Sequence, residues 1–174
     1  DSQALTEHPK GVKDRLLLCV GANPQDEIPI AESAEEPVLD RLRVAYFQEL
    51  MAIAVRDLTE IYPMEVIAGW LSDLADATLH AGLAIGRVGV TEPRTPIAVI
   101  AMGKTGGREL NYMSDVDVIF ATDDSDSIND ATQIARGLMR ACGSITAEGS
   151  IWEVDAALRP EGKQGALVRT VDSH

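Results

Sequence analysis

Three aspartates and a pair of glycines are the residues of this chain best suited to chemistry. Residues 97–120 read IAVIAMGKTGGRELNYMSDVDVIF, an apolar strand, a glycine-bearing turn, a short polar connector and a second strand. Alternate residues of a strand share a face, so Asp115 and Asp117 project together while Val116 and Val118 point away. Two carboxylates side by side repel unless a cation sits between them. A hard divalent ion with oxygen ligands answers that need, and Mg²⁺ held by carboxylates commonly brings phosphates with it. The competing reading is a pair of solvated acids on an exposed strand end. The flanking GG turn and the apolar strand residues Val116, Val118, Ile119 and Phe120 favour a site.

A third acid follows in residues 151–158, IWEVDAAL, which alternate enough to form another strand. If that strand lies beside the first, Asp155 completes a three-carboxylate metal site, with Glu153 either a further ligand or an exposed acid. Such a set supports two-metal, in-line displacement at phosphorus, with Mg²⁺ as the expected ion and Mn²⁺ as an alternative. The carboxylates then do no covalent work; positioning and electrostatics dominate.

Around the acids lie candidate phosphate contacts. Gly103-Lys104-Thr105 invites a phosphate-loop reading, but the glycine that motif needs five residues earlier is Ala98, so the motif is absent. Gly106 and Gly107 suit either close approach of backbone N–H groups to a phosphate or a simple tight turn. Ser114 is placed to bond either a phosphate or the backbone. Lys104, Arg108 and Arg159 are candidate charge partners for a phosphate; Arg159 stands out because it follows the Asp155 strand directly. Glu109 and Asn111 read as structural.

These segments resemble a known family. GKTGGRELNYMSDVDVIF followed by VDAALRPEGKQGALV is similar to the nucleotidyltransferase core of bacterial glutamine synthetase adenylyltransferase, a bifunctional adenylyltransferase/adenylyl-removing enzyme. The family pattern is a G-K-x-G-[GA]-x-E-L turn, an S-D-x-D-[LV]-[IM]-[FY] strand and a later V-D-x-x-L-R-P-x-G segment, and every position is filled here. Residues 42–58 (LRVAYFQELMAIAVRDL) are similar to the helix that precedes this core, so the likeness covers about residues 38–174. It implies an α+β fold with a DNA polymerase β-like nucleotidyltransferase core and mixed sheet. It further implies Asp115, Asp117 and Asp155 as catalytic metal ligands, and Gly106, Gly107, Ser114, Lys104 and Arg159 as phosphate and nucleotide contacts.

In that family one core moves AMP from ATP to a tyrosine of glutamine synthetase. The other uses phosphate to lift AMP off as ADP, under a PII-type signalling protein, and together they regulate nitrogen assimilation. The connector resembles the N-terminal, adenylyl-removing half, where Asn follows Glu-Leu; the transferring half tends to carry Gly there. The family continues past the point matching His174 into a helical bundle, so a fragment is expected.

Composition narrows the partners. The 174 residues carry a formal charge of −13, and 45% are hydrophobic but only 4% aromatic, so an aliphatic core is expected. Nucleic-acid affinity rests on Lys and Arg neutralising phosphates, and this chain has too few. A protein or small-molecule partner fits better. Cys19 and Cys142 each sit in apolar surroundings, read as free thiols of a reducing compartment. No apolar run approaches a membrane span and the acidic start is no signal peptide, which makes the cytoplasm the expected location.

The elements that must position the site follow from periodicity. Residues 1–37 hold a possible strand at 15–20 and then turn-rich acidic sequence, partly ordered at best, read as a linker or a remnant of a preceding region. Residues 38–93 form an antiparallel helical hairpin: Leu39, Leu42, Tyr46, Leu50 and Ile53 line one helix, and Ile67, Trp70, Leu74, Ala77, Ala81 and Ala84 the next. Residues 94–174 form the core, with 97–102 as a buried central strand. A helix after Ser125-Asp126-Ser127 buries Ala131, Ile134, Leu138, Cys142 and Ile145, with Gly137 and Gly143 close to the sheet.

Overall fold

Apolar residues spaced at three and four build the helical half. The computed structural model describes residues 11–59, 62–123, 125–158 and 161–173. Helix α1 spans Val12–Cys19, α2 Glu36–Leu58 with Pro37 in its first turn, and α3 Met64–Gly86. Helix α2 turns Val38, Leu39, Leu42, Tyr46 and Ile53 inward. Helix α3 is buried round most of its circumference, from Ile67 and Trp70 to Ala84 and Ile85. A helix apolar on so many sides must be wrapped by others, and α3 packs against α1, α2 and α5 (Ile128–Gly143).

The stretch at 15–20 is helix through Cys19, with Val20 as its cap, and not strand. A short leucine run is compatible with either, and leucine is a strong helix former, so docking decides. Leu16 and Leu17 are fully buried against the α2–α3 pair. The residues beyond α1, read from sequence as a linker or a remnant of a preceding region, pack on the same core: Ala22 and Ala31 are buried, and Ala31 N–H donates to Ala84 O at 3.0 Å.

A mixed four-stranded sheet completes the α+β fold. Its centre is β2 (Val116–Thr122). Strand β1 (Ala98–Ala101) pairs antiparallel along one edge, and β3 (Val154–Asp155) and β4 (Val168–Thr170) pair parallel, end to end, along the other. The first strand is therefore an edge strand with Ala98 and Ile100 exposed, rather than the buried centre its apolar run suggests. The expected strand at 151–158 contracts to two residues. Val116, Val118 and Phe120 alternate onto the helix-covered face. Helix α5 buries Ala131, Ile134, Leu138 and Cys142 as expected but ends at Gly143, which leaves Ile145 exposed. Cys19 and Cys142 are both free thiols.

Two features lock this arrangement. Arg43 of α2 is wholly buried and donates to Leu39 O (2.8 Å), Gly149 O (2.7 Å) and the Ser144 carbonyl, clamping the loop that leads to β3. Helices α3 and α5 meet backbone to backbone. A Cβ on Gly86 would lie 2.4 Å from Ile134 O, and one on Gly137 would lie 2.5 Å from Gly86 Cα. Gly137 is thus spent on a helix crossing and not on the sheet. Gly86→Ala is expected to lower stability by about 1–3 kcal/mol through overpacking. Gly143→Ala, whose Cβ meets nothing closer than Trp152 O at 3.8 Å, serves as a near-neutral control. Equal urea midpoints for the two variants would refute the tight crossing.

Candidate active site

Strand pairing assembles the site. Asp115 precedes β2 and Asp117 is its second residue, so the period of two sends both to the open face while Val116 and Val118 enter the core. In the parallel β2–β3 ladder Val116 stands opposite Val154 and Asp117 opposite Asp155. Residues directly opposite share a face, which brings in the third acid from nearly forty positions away. Carboxylate oxygens of Asp115, Asp117 and Asp155 all lie within 4.8 Å of one another. Asp115 is exposed and the other two are half-buried. Glu153 is exposed and stands outside the cluster. Asp155 also accepts a hydrogen bond from Ala157 N–H at 2.7 Å, so its carboxylate has a structural partner too.

The turn after β1 closes over the acids. Gly103–Gly106 form a single helical turn, α4, and Met102 N–H donates to Asp117 O at 2.9 Å. Gly103 has φ +51°, and a Cβ there would lie 2.7 Å from Asp117 Oδ2. This glycine was missed from sequence as a site residue, although its place directly before Lys104 was the available signal. Gly106 is fixed by packing, since its Cβ would meet Ala101 O at 2.4 Å; Gly107 has an ordinary φ of −77°.

The side chains singled out around the acids divide. Lys104 Nζ approaches Ser114 Oγ at 3.5 Å. The Ser114 hydroxyl donates to Asn111 Oδ1 at 2.8 Å, a side-chain partner rather than the backbone one considered above, and Met113 N–H donates to the same oxygen. Asn111 therefore shapes the connector, as its structural reading implied. Arg108 turns away: it pairs with Asp73 at 2.5 Å and donates to Gly69 O, so it braces the connector to α3. Arg159 lies outside the described residues.

The family model described as glutamate-ammonia ligase adenylyltransferase matches residues 19–174. The chain belongs to this family. It is 49% identical over 192 residues to the bifunctional glutamine synthetase adenylyltransferase/adenylyl-removing enzyme of Streptomyces coelicolor, covering 99% of this chain and 19% of that protein. The enzyme of the same name from Cutibacterium acnes is 44% identical over 171 residues, with 92% of this chain and 17% of that protein covered. The chain thus spans less than a fifth of the length of these relatives.

In this member of the family the acid cluster is electrostatically loaded. Burial, and then the charges of Asp115 and Asp155, push the Asp117 carboxyl above its ordinary value of 3.8, while Lys104 opposes the rise. Three crowded hard oxygen donors form a set that fits a divalent cation such as Mg²⁺. The folded chain holds the Asp117 proton to higher pH than the unfolded chain does, so this stabilising contribution is present below 3.8 and lost as pH rises through the raised folded value. In metal-free buffer Asp117→Asn should therefore melt at or above the wild type, with the gap widening from about pH 4 to about pH 7. A variant less stable at neutral pH would show that repulsion is not what the cluster stores.

Proposed function

We propose that this chain is an adenylyl-removing nucleotidyltransferase domain, taking AMP from an adenylylated tyrosine of glutamine synthetase by phosphorolysis and releasing ADP. The observation that carries the reading is the convergence of Asp115, Asp117 and Asp155 within 4.8 Å. Membership of a family whose relatives are named for both addition and removal of the adenylyl group supports it. The choice of removal rests on Asn111, which occupies the connector where the transferring half tends to carry glycine, and which here fixes both Ser114 and the Met113 amide.

In this reading Asp115, Asp117 and Asp155 hold Mg²⁺, with Mn²⁺ as a substitute. When bound, the metal supplies Lewis-acid stabilisation of charge on the phosphoryl oxygens during in-line displacement. The chain's own groups orient and neutralise. Lys104 offsets carboxylate charge and meets a phosphate, Ser114 offers a hydroxyl beside Asp115, and Arg159 completes the phosphate contacts. Gly106 and Gly107 serve the tight turn instead, because their N–H groups donate to Met102 O and Gly103 O, each at 3.0 Å. A phosphate oxygen forms the new bond to the adenylyl phosphorus, the bond to the tyrosyl oxygen breaks, and that oxygen takes up a proton. A PII-type signalling protein is the expected regulator, and the cytoplasm the expected location. No helix among the described residues is long and apolar enough to cross a membrane. The charge of −13 weighs against nucleic acid as a substrate.

The test is direct. With adenylylated glutamine synthetase, Mg²⁺ and phosphate, the chain should release ADP. Asp155→Asn keeps the oxygen that accepts from Ala157 N–H but removes one charge, and should lower the rate by about a hundredfold or more without lowering the melting temperature. A variant that melts early yet turns over normally per folded molecule would overturn the assignment. So would AMP transfer from ATP without any ADP from the modified protein.

A further inference from the structure

Beside the acids, on the side of the exposed Asp115, lies a cleft of about 420 Å³. Its walls hold four of the chain's seven aromatic residues: Tyr46 and Phe47 from α2, Tyr112 from the connector and Trp152 from the approach to β3. Ser114, Asp115, Ser150 and Glu153 form its polar edge. In a chain only 4% aromatic, this concentration at one point needs a reason. Core packing supplies only part of it. Tyr46 is buried and meets Phe47 edge to face at 5.3 Å, but Phe47 is 41% and Tyr112 39% exposed. Tyr112 is also held in place, its hydroxyl donating to Asp57 Oδ2 of α2 at 3.0 Å. Aromatic side chains fixed in position while partly open to water are suited to stacking on another ring.

We infer that this cleft receives an aryl ring bonded directly to the phosphoester oxygen, which in the reaction proposed above, on which this inference rests, is the tyrosyl ring of the modified protein. Reach selects the ring. The cleft includes Asp115 itself, so its ring-binding walls begin at the acid cluster. A tyrosyl ring is joined to the reacting phosphorus through one oxygen and must lie that close. An adenine base is held off by a ribose and would reach past the near wall. The same walls give specificity: a phosphoester on an aliphatic hydroxyl, as in serine, would leave the aromatic surfaces uncovered and gain little there.

Trp152 supplies a reporter independent of turnover, because the chain's other tryptophan, Trp70, is buried against Tyr62 on the helical hairpin. The chain is titrated with O-adenylyl-N-acetyltyrosine amide and, in parallel, with AMP, following tryptophan emission. The aryl ester should shift the emission and bind about tenfold more tightly than AMP, and both the shift and the advantage should be lost in Trp152→Phe and Phe47→Ala respectively. Met113→Ser, at the 95% exposed residue beside the cleft, tests the rim without touching the core; it should weaken the aryl ester and leave AMP unchanged. Equal affinity for AMP and the aryl ester would assign the cleft to the base and overturn the inference, as would an unmoved Trp152 signal at saturation. Release of ADP with no aryl preference would sink the inference alone. Aryl binding without ADP release would sustain it while defeating the phosphorolysis reading.

Discussion

Three carboxylates crowded onto one sheet face repel, and the structure depends on a ladder that holds them together regardless. That ladder is short. Strand β3 is two residues long, yet its register decides everything, since a slip of one residue would send Asp155 to the helix-covered face and Val154 to the acids. Two residues cannot fix a register by their own hydrogen bonds. It is fixed instead by burial of Val154 and Ala156 and by the approach to the strand. Ile151 N–H donates to Cys142 O at 3.0 Å, and the buried Arg43 guanidinium holds the carbonyls of Ser144 and Gly149. Burial lowers the pKa of that guanidinium, and its carbonyl partners are what make a charge there tolerable.

The helical hairpin is therefore part of the site and not only a neighbour. Helix α2 supplies Arg43 from below and Asp57 to Tyr112 from the side, while α3 holds Arg108 through Asp73 and the Leu110 amide through Ser72 Oγ. The connector that delivers Ser114 and Asp115 is thus braced at three points along its length. Helix α3 in turn is seated on α5 through Gly86 and Gly137, so the two layers cannot drift apart without opening the crossing.

What the sequence made legible was whatever depends on short-range periodicity. Alternation put Asp115 and Asp117 on one face, and the polar residue among apolar ones in IWEVDAAL nominated Asp155. Three- and four-residue spacing marked both hairpin helices and most of α5. What it hid depends on partners distant in the chain. The leucine run of α1 reads equally well as strand until α3 is there to receive it. The apolar run at 97–102 reads as central because nothing local says that a strand has only one neighbour. Arg43, a cation on the buried side of an amphipathic helix, has no local signature of its clamp, because the Ser144 and Gly149 carbonyls it holds lie about a hundred residues away. Gly103 carries its reason in φ +51° and in the closeness of Asp117, neither visible in composition.

The claim on which the rest stands is that the three acids act as one cation site. Titrating Mn²⁺ into the chain and following free ion by electron paramagnetic resonance tests it without substrate or turnover. The wild type should bind, and Asp155→Asn should bind about tenfold more weakly or worse although the altered residue lies on a different strand from the other two. Unchanged Mn²⁺ affinity in Asp155→Asn, with the fold intact, would contradict the account.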